Sequence, residues 1–131
     1  MISETTLRVR YAETDQMGHA YYANYLVWLE VARTDWCRQA GFTYASMEAE
    51  GFFLPVVNVT IDYKREIMYD EEVTIRAWAG EVKRVSFSFH YEIWSGDVLR
   101  ATGSTTHVVM GRERKAVTIP DKYRAMLSPA G

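Results

Sequence analysis

Residues 13–30 read ETDQMGHAYYANYLVWLE, and Asp15 sits there in a glycine-containing turn just ahead of a segment that is apolar on nearly every side. An aspartate so placed has two uses. It can accept hydrogen bonds from the turn or from the helix start, as aspartate commonly does. It can also act on an electrophile. A helix start presents unpaired N–H groups and a partial positive potential, which stabilises a carbonyl oxygen gaining negative charge. A neighbouring carboxylate then attacks the carbon directly or deprotonates a water. With the helix starting near Tyr22 or Ala23, both groups can face one bond. Gly18 between them permits a left-handed turn or close approach of a ligand to the backbone.

Other chemistries lack their residues. The chain has no GxSxG elbow and no local nucleophile signature around its serines. His19, His90 and His107 are too scattered for an HExxH metal pattern, and the single Cys37 cannot build a zinc cluster. Phosphate-binding glycine motifs are missing too. Carboxylate, backbone amide and water remain to do the chemistry. His90 and His107 fall on strands, where a hydrogen-bonded structural role is expected. His19 lies within the Asp15 run and is a candidate to touch substrate.

A chain of 131 residues is the size of one domain, expected over 1–131. The formal net charge of −2 provides no basic footprint for nucleic acid. The start MISETTLRVR lacks the plan of a signal peptide, and no window approaches the ~20 apolar residues of a membrane span. A cytoplasmic location is the expectation, and Cys37 is expected to be a buried, unpaired thiol.

Residues 5–11 alternate with Leu7, Val9 and Tyr11 on one side, which predicts a half-buried strand. From about Ala23 to Ala40 the period lengthens to three and four, and Gly41 supplies a stop, giving one helix of about five turns. Its first half, with Leu26, Val27, Trp28, Leu29, Val31 and Ala32, predicts burial on all sides, and since a single curved sheet half-covers a helix, either the sheet wraps it or a second subunit completes the cover. Period-two runs follow from Val57, Val73 and Val85, with a hairpin turn at Ser95-Gly96-Asp97 and another strand over 98–110. GRERK at 111–115 reads as a charged turn, AVTI at 116–119 as a brief strand, and Pro120-Asp121 as the start of a short helix ending near Leu127. Four later strands without crossover helices make the sheet antiparallel and the domain two-layered α+β.

The run RYAETDQMGHAYYANYLVWLEVAR resembles the motif of hotdog-fold acyl-CoA thioesterases of the 4-hydroxybenzoyl-CoA thioesterase type. In that motif a strand ending in an aromatic precedes an acid-x-Asp, then two residues and a Gly, an Asn-Tyr and an apolar helix bearing an acid. Here these are Tyr11, Glu13-Thr14-Asp15, Gly18, Asn24-Tyr25 and Glu30. YDEEVTI at 69–75, EVKRVSF at 81–87 and the order of elements extend the likeness over essentially the whole chain.

The resemblance implies a curved antiparallel sheet of about five strands wrapped around one long central helix, with a short C-terminal helix. It implies hydrolysis of an acyl-CoA thioester to free acid and CoA, with Asp15 as nucleophile or general base and the backbone N–H of Tyr22 polarising the carbonyl. Gly18, His19, Asn24 and Tyr25 would line the substrate site, and Tyr21 and Tyr22 are further acyl-site candidates. Lys83 and Arg84 would meet the CoA phosphates, although a third basic position of that type is Val85 here; Lys64 and Arg65 are further candidates. The resemblance also implies a homo-oligomer, either a dimer joined sheet edge to sheet edge or a homotetramer built as a dimer of dimers, with active sites between subunits and no metal or organic cofactor. Thioesterases linked to the Tol-Pal envelope cluster carry a histidine at the position of Tyr22, so His19 does not inherit that role. Two other readings are a hotdog enoyl-CoA hydratase or dehydratase, using Asp15 with His19, and a non-catalytic acyl-CoA binding module.

Overall fold

The alternating runs pair into one antiparallel sheet in the computed structural model, which describes residues 1–128. Residues 129–131, the end of the expected domain, lie outside the described residues. The strands are β1 (Ile2–Arg8), β2 (Val56–Tyr63), β3 (Glu72–Val82), β4 (Ser86–Ser95) and β5 (Val98–Val108), in the spatial order β1-β3-β4-β5-β2. The helices are α1 (Asn24–Ala40), α2 (Tyr44–Ala49) and α3 (Asp121–Leu127). Strands β3 to β5 form a meander whose inner face places Ile75, Ala77, Phe87, Phe89 and Ile93 against Trp28, Leu29, Ala32 and Trp36 of α1. This is the α+β hotdog arrangement: a curved sheet around one long helix.

Four expectations are corrected in detail. The first strand begins at Ile2, not Thr5, and Tyr11 leaves it for a single 3-10 turn, Tyr11–Glu13, where it is 79% exposed. Register with β3 sets this: Ser3, Thr5 and Leu7 oppose Ala77, Ile75 and Val73 on the inner face. Thr5 is tolerated inside because its hydroxyl donates to Asp35 Oδ2 at 2.7 Å. Residues 44–49, read as loop, form α2, started by a reciprocal Thr43–Ser46 cap. AVTI makes only an isolated bridge, Met110 with Ala116.

The fourth correction bears on function. The first half of α1 is buried on one side only: Leu26, Val27 and Val31 remain 41–48% exposed, because one curved sheet covers one face of a helix. Beside them β2 forms an open edge on which Val56, Val57 and Val59 are exposed. No helix among the described residues is long and apolar enough to cross a membrane.

Under α1 the core holds a directional polar chain. The Leu54 carbonyl can only accept, so His107 Nδ1 carries the proton and donates to it at 3.3 Å. His107 Nε2 then accepts from the Thr105 hydroxyl at 2.9 Å, which in turn accepts from Tyr91 Oη at 2.7 Å. Arg33, buried on α1, donates through Nε to Tyr44 Oη at 3.1 Å and lies against Tyr91. Burial, reinforced by Arg33, pushes the His107 imidazole down to about 4. A base depressed in the folded state binds its proton preferentially when unfolded, so stability falls as pH drops from about 6.5 to about 4. On the order of 2–3 kcal/mol should be lost over that window. Melting temperatures across it should fall steeply for the wild type and flatten for His107→Gln, which keeps a donor and an acceptor but does not titrate. An equal slope in both proteins would remove His107 as its cause.

Candidate active site

The Asp15 turn is tied at both ends. The Asp15 N–H donates to the His19 carbonyl at 2.8 Å and the Gly18 N–H to the Asp15 carbonyl at 3.1 Å, with Thr14 bridging Ala20. Gly18 has φ of 78°. A Cβ there would meet only Met68 Cε, at an ordinary 3.6 Å, so it is the left-handed backbone that requires glycine, not the space. Asp15 Oδ1 accepts from the N–H groups of Met17 at 2.9 Å and His19 at 3.1 Å. The side chain thus satisfies both readings of the sequence: Oδ1 holds the turn, and the exposed Oδ2 takes no hydrogen bond within the described residues.

The helix start is just as open. Ala23 precedes α1 and provides no side-chain cap. Tyr21, Asn24 and Tyr25 donate their N–H groups to Glu13, Tyr21 and Tyr22 carbonyls, but no acceptor among the described residues takes the Tyr22 N–H. An uncapped N-terminus with a free amide is a ready seat for a carbonyl oxygen.

Two residues lock these groups together. Glu13 is 5% exposed, and its carboxylate accepts from the Trp28 indole N–H and the Arg10 N–H, both at 2.8 Å. Burial opposes its ionisation, yet the Arg10 and Trp28 bonds outweigh that and hold the carboxyl below its usual range. The Glu13 carbonyl meanwhile receives the Tyr21 N–H at 2.7 Å and Asn24 Nδ2 at 2.8 Å. From the end of β2, Tyr63 Oη donates to the Tyr22 carbonyl at 3.0 Å. The sequence motif contained Glu13 without revealing its use as an anchor; Tyr63 lies 41 residues from Tyr22 and left no local signal.

The other candidates separate. His19 is half-buried beside the turn, its Nε2 3.1 Å from Glu66 Oε2. That engagement weakens the hydratase reading, which needs His19 and Asp15 on one substrate. Asn24 orients the turn through Glu13. Tyr25 is 3% exposed, packed on Trp28 and Tyr63, and burial pushes its phenol up to about 12, so within the protomer it is core. Tyr21 and Tyr22 are exposed. Lys64 and Arg65 line a cleft of about 700 Å³ beside the turn, but Glu66 and Glu71 share it. Lys83 and Arg84 lie on the β3–β4 hairpin, at the opposite end of the sheet from Asp15. With ~3.3 Å per strand residue, β3 alone separates them by roughly 30 Å or more. One protomer therefore does not bring them to its own Asp15. No cluster of three His, Cys, Asp or Glu suited to a metal occurs among the described residues.

The likeness to known proteins runs the length of this arrangement. YneP of Bacillus subtilis, provisionally named an acyl-CoA thioesterase, is 37% identical over 113 residues, 86% of this chain and 82% of that protein. The structure of a DHNA-CoA thioesterase from Staphylococcus aureus superposes with a TM-score of 0.89 at 37% identity, covering 95% of this chain and 87% of that one. A Thermus thermophilus protein superposes with a TM-score of 0.91 at 38% identity over 99% of this chain and 100% of its own. Residues 9–127 match the thioesterase-like superfamily, and the chain belongs to that family.

Proposed function

We propose that this protein hydrolyses acyl-CoA thioesters to free acid and CoA. The observation that carries the reading is the unspent Tyr22 N–H at an uncapped helix start, held by Glu13 and Tyr63 next to an aspartate with one free oxygen. The thioester carbonyl accepts from Tyr22 N–H, which stabilises charge as the carbon becomes tetrahedral. Asp15 Oδ2 either attacks that carbon, breaking the C–S bond with loss of the CoA thiolate and leaving a mixed anhydride that water then hydrolyses, or takes a proton from a water whose attack expels the same thiolate, which leaves protonated as CoA; Oδ1 stays bound to the turn. The names of the relatives from B. subtilis and S. aureus support CoA thioesters as the substrate class.

The same reading makes the working unit a dimer. The open β2 edge exposes Val56, Val57 and Val59, and α1 exposes Leu26, Val27 and Val31, apolar surface that a second copy covers when two β2 strands pair antiparallel about a two-fold axis. That pairing would set the Asp15 end of one protomer beside the end of the other that carries Lys83, Arg84 and Arg112. Lys83 and Arg84 then approach the partner's reaction centre instead of their own.

Incubating the pure protein with a panel of acyl-CoA thioesters and a thiol-reactive dye tests the reading. Burial pushes the Cys37 thiol up to about 12, so the folded protein should add little to the released-CoA signal. Thiol release across at least one acyl class is expected. Hydration of an enoyl-CoA without thiol release, or tight binding without any turnover, would overturn it.

A further inference from the structure

One carbonyl at the start of α1 is engaged twice. The Tyr22 C=O accepts the Tyr25 N–H of the first turn at a long 3.3 Å, and the Tyr63 phenol donates to it at 3.0 Å. Among the described residues the carbonyls on either side, of Tyr21 and Ala23, accept only backbone N–H groups, from Asn24 at 2.9 Å and Leu26 at 3.2 Å. A helix start has no need of an extra donor, since its orphan groups are N–H, not C=O. The phenol therefore does something other than complete the helix.

The core aims it there. Tyr63 is the last residue of β2, opposite Ala101 of β5, and its ring stands edge-on to Tyr25 with centroids 4.9 Å apart. Tyr25 packs in turn on Trp28 at 5.0 Å, and Trp28 binds the buried Glu13 carboxylate. One set of packed rings thus fixes both the residue that holds the Tyr21 N–H and the one that holds the Tyr22 carbonyl.

The effect falls on the next amide. Tyr22 C=O and Ala23 N–H belong to one planar peptide unit, whose resonance couples the oxygen to the nitrogen. A donor on the oxygen draws electron density from the nitrogen and makes the N–H a stronger donor, by roughly 10–30% per bond. No acceptor among the described residues takes the Ala23 N–H, just as none takes that of Tyr22. The first N–H groups of a helix point the same way along its axis and bind one oxygen together. We propose that Tyr63 is a positioning residue for thioester hydrolysis: by holding and polarising the Tyr22–Ala23 peptide, it makes the Ala23 N–H a second donor to the thioester oxygen beside that of Tyr22. This rests on the acyl-CoA hydrolase reading above and adds two groups to its machinery.

Tyr63→Phe tests the proposal on the full chain, because the ring keeps its place on Tyr25 and only the hydroxyl goes. In hydrolysis of an acyl-CoA, kcat should fall about tenfold with KM within about twofold, less than the ~10²–10³ lost with a whole oxyanion donor, since an amide is weakened and not removed. The melting temperature should stay within about 2 degrees, as loss of one half-exposed hydrogen bond allows. A second measurement needs no turnover. The ketone analogue of the same acyl-CoA, with a methylene inserted between the sulfur and an isotope-labelled carbonyl, resists hydrolysis, and its infrared carbonyl stretch reads the hydrogen bonds made to that oxygen. The stretch should drop when the ketone binds wild type, and part of that drop should be lost in Tyr63→Phe.

Equal kcat in the two proteins, a loss carried by KM alone, or the same bound carbonyl stretch in both would overturn the proposal. So would a ketone that fails to bind wild type or binds without any drop. A melting temperature that collapses while the stretch keeps its wild-type value would leave Tyr63 a purely structural residue. If wild type cleaves no acyl-CoA, the hydrolase reading fails, and the stretch of the bound ketone still decides whether Tyr63 polarises the carbonyl seat.

Discussion

Asp15→Asn should lower kcat/KM for acyl-CoA by about 10³-fold or more while leaving the melting temperature within about a degree. The geometry separates the two effects. Asn keeps an oxygen at the Oδ1 position, so the Met17 and His19 N–H groups keep their acceptor and the turn survives. What disappears is the negative charge on the second oxygen, the atom that attacks or deprotonates. General-base catalysis alone contributes about 10²–10⁴-fold, and a nucleophile more. A 10³-fold loss corresponds to about 4 kcal/mol of transition-state stabilisation, several times the worth of a surface hydrogen bond. Steady-state kinetics with thermal melting of the same preparation checks it. Equal turnover by both proteins would remove Asp15 from the mechanism, and a collapsed melting temperature would return it to a purely structural role.

The second large effect concerns the exposed apolar surface. If two copies pair through β2 as proposed, Val27→Glu on α1 and Val59→Glu on β2 should each leave the protein monomeric at micromolar concentration and reduce acyl-CoA turnover by about 10²-fold. Both residues are more than 40% exposed in the protomer, so the charge costs little there. Within a paired β2 edge it would be buried without a partner, at several kcal/mol. Three kcal/mol per site already raises the dissociation constant over 100-fold. Light scattering during size-exclusion chromatography reads the assembly, and turnover at the same concentrations reads the site. A monomeric variant with wild-type turnover would show that one protomer suffices. A variant that stays dimeric would move the contact away from this surface.

The legible parts of the sequence were those written by neighbouring residues. Alternation from Val73 and Val85 fixed strands because one face of each is buried, and the three- and four-residue recurrence to Ala40 fixed α1. The Asp15–Gly18 turn was legible because left-handed backbone selects glycine within four residues of the acid. Contacts made across the fold left no such trace. Tyr63 reads as the end of an ordinary strand, yet it holds the helix start. Glu13 reads as a motif letter, yet its carboxylate is buried under Trp28. Tyr11 followed the alternation and was misplaced, because register with β3, set more than 60 residues away, decides where β1 stops. The burial of α1 was legible only in part: apolar residues show that a face is to be covered, and the single chain covers one side of the helix, leaving Leu26, Val27 and Val31 exposed.

The strand order has a consequence for synthesis of the chain. The meander β3-β4-β5 closes through short hairpins, whereas β1 and β2, made first, take the two outer places. On the ribosome β1 has no neighbour until the chain extends through Val82, and β2 none until it extends through Val108. Val56, Val57 and Val59 are therefore carried unpaired until Val108 has been made, and the pairing that shelters their strand is a long loop closure, the kind that slows folding most. The nascent protein thus passes its most adhesive stretch through the tunnel well before it can be hidden, which makes sluggish termination or truncated messages a route to aggregates of this chain.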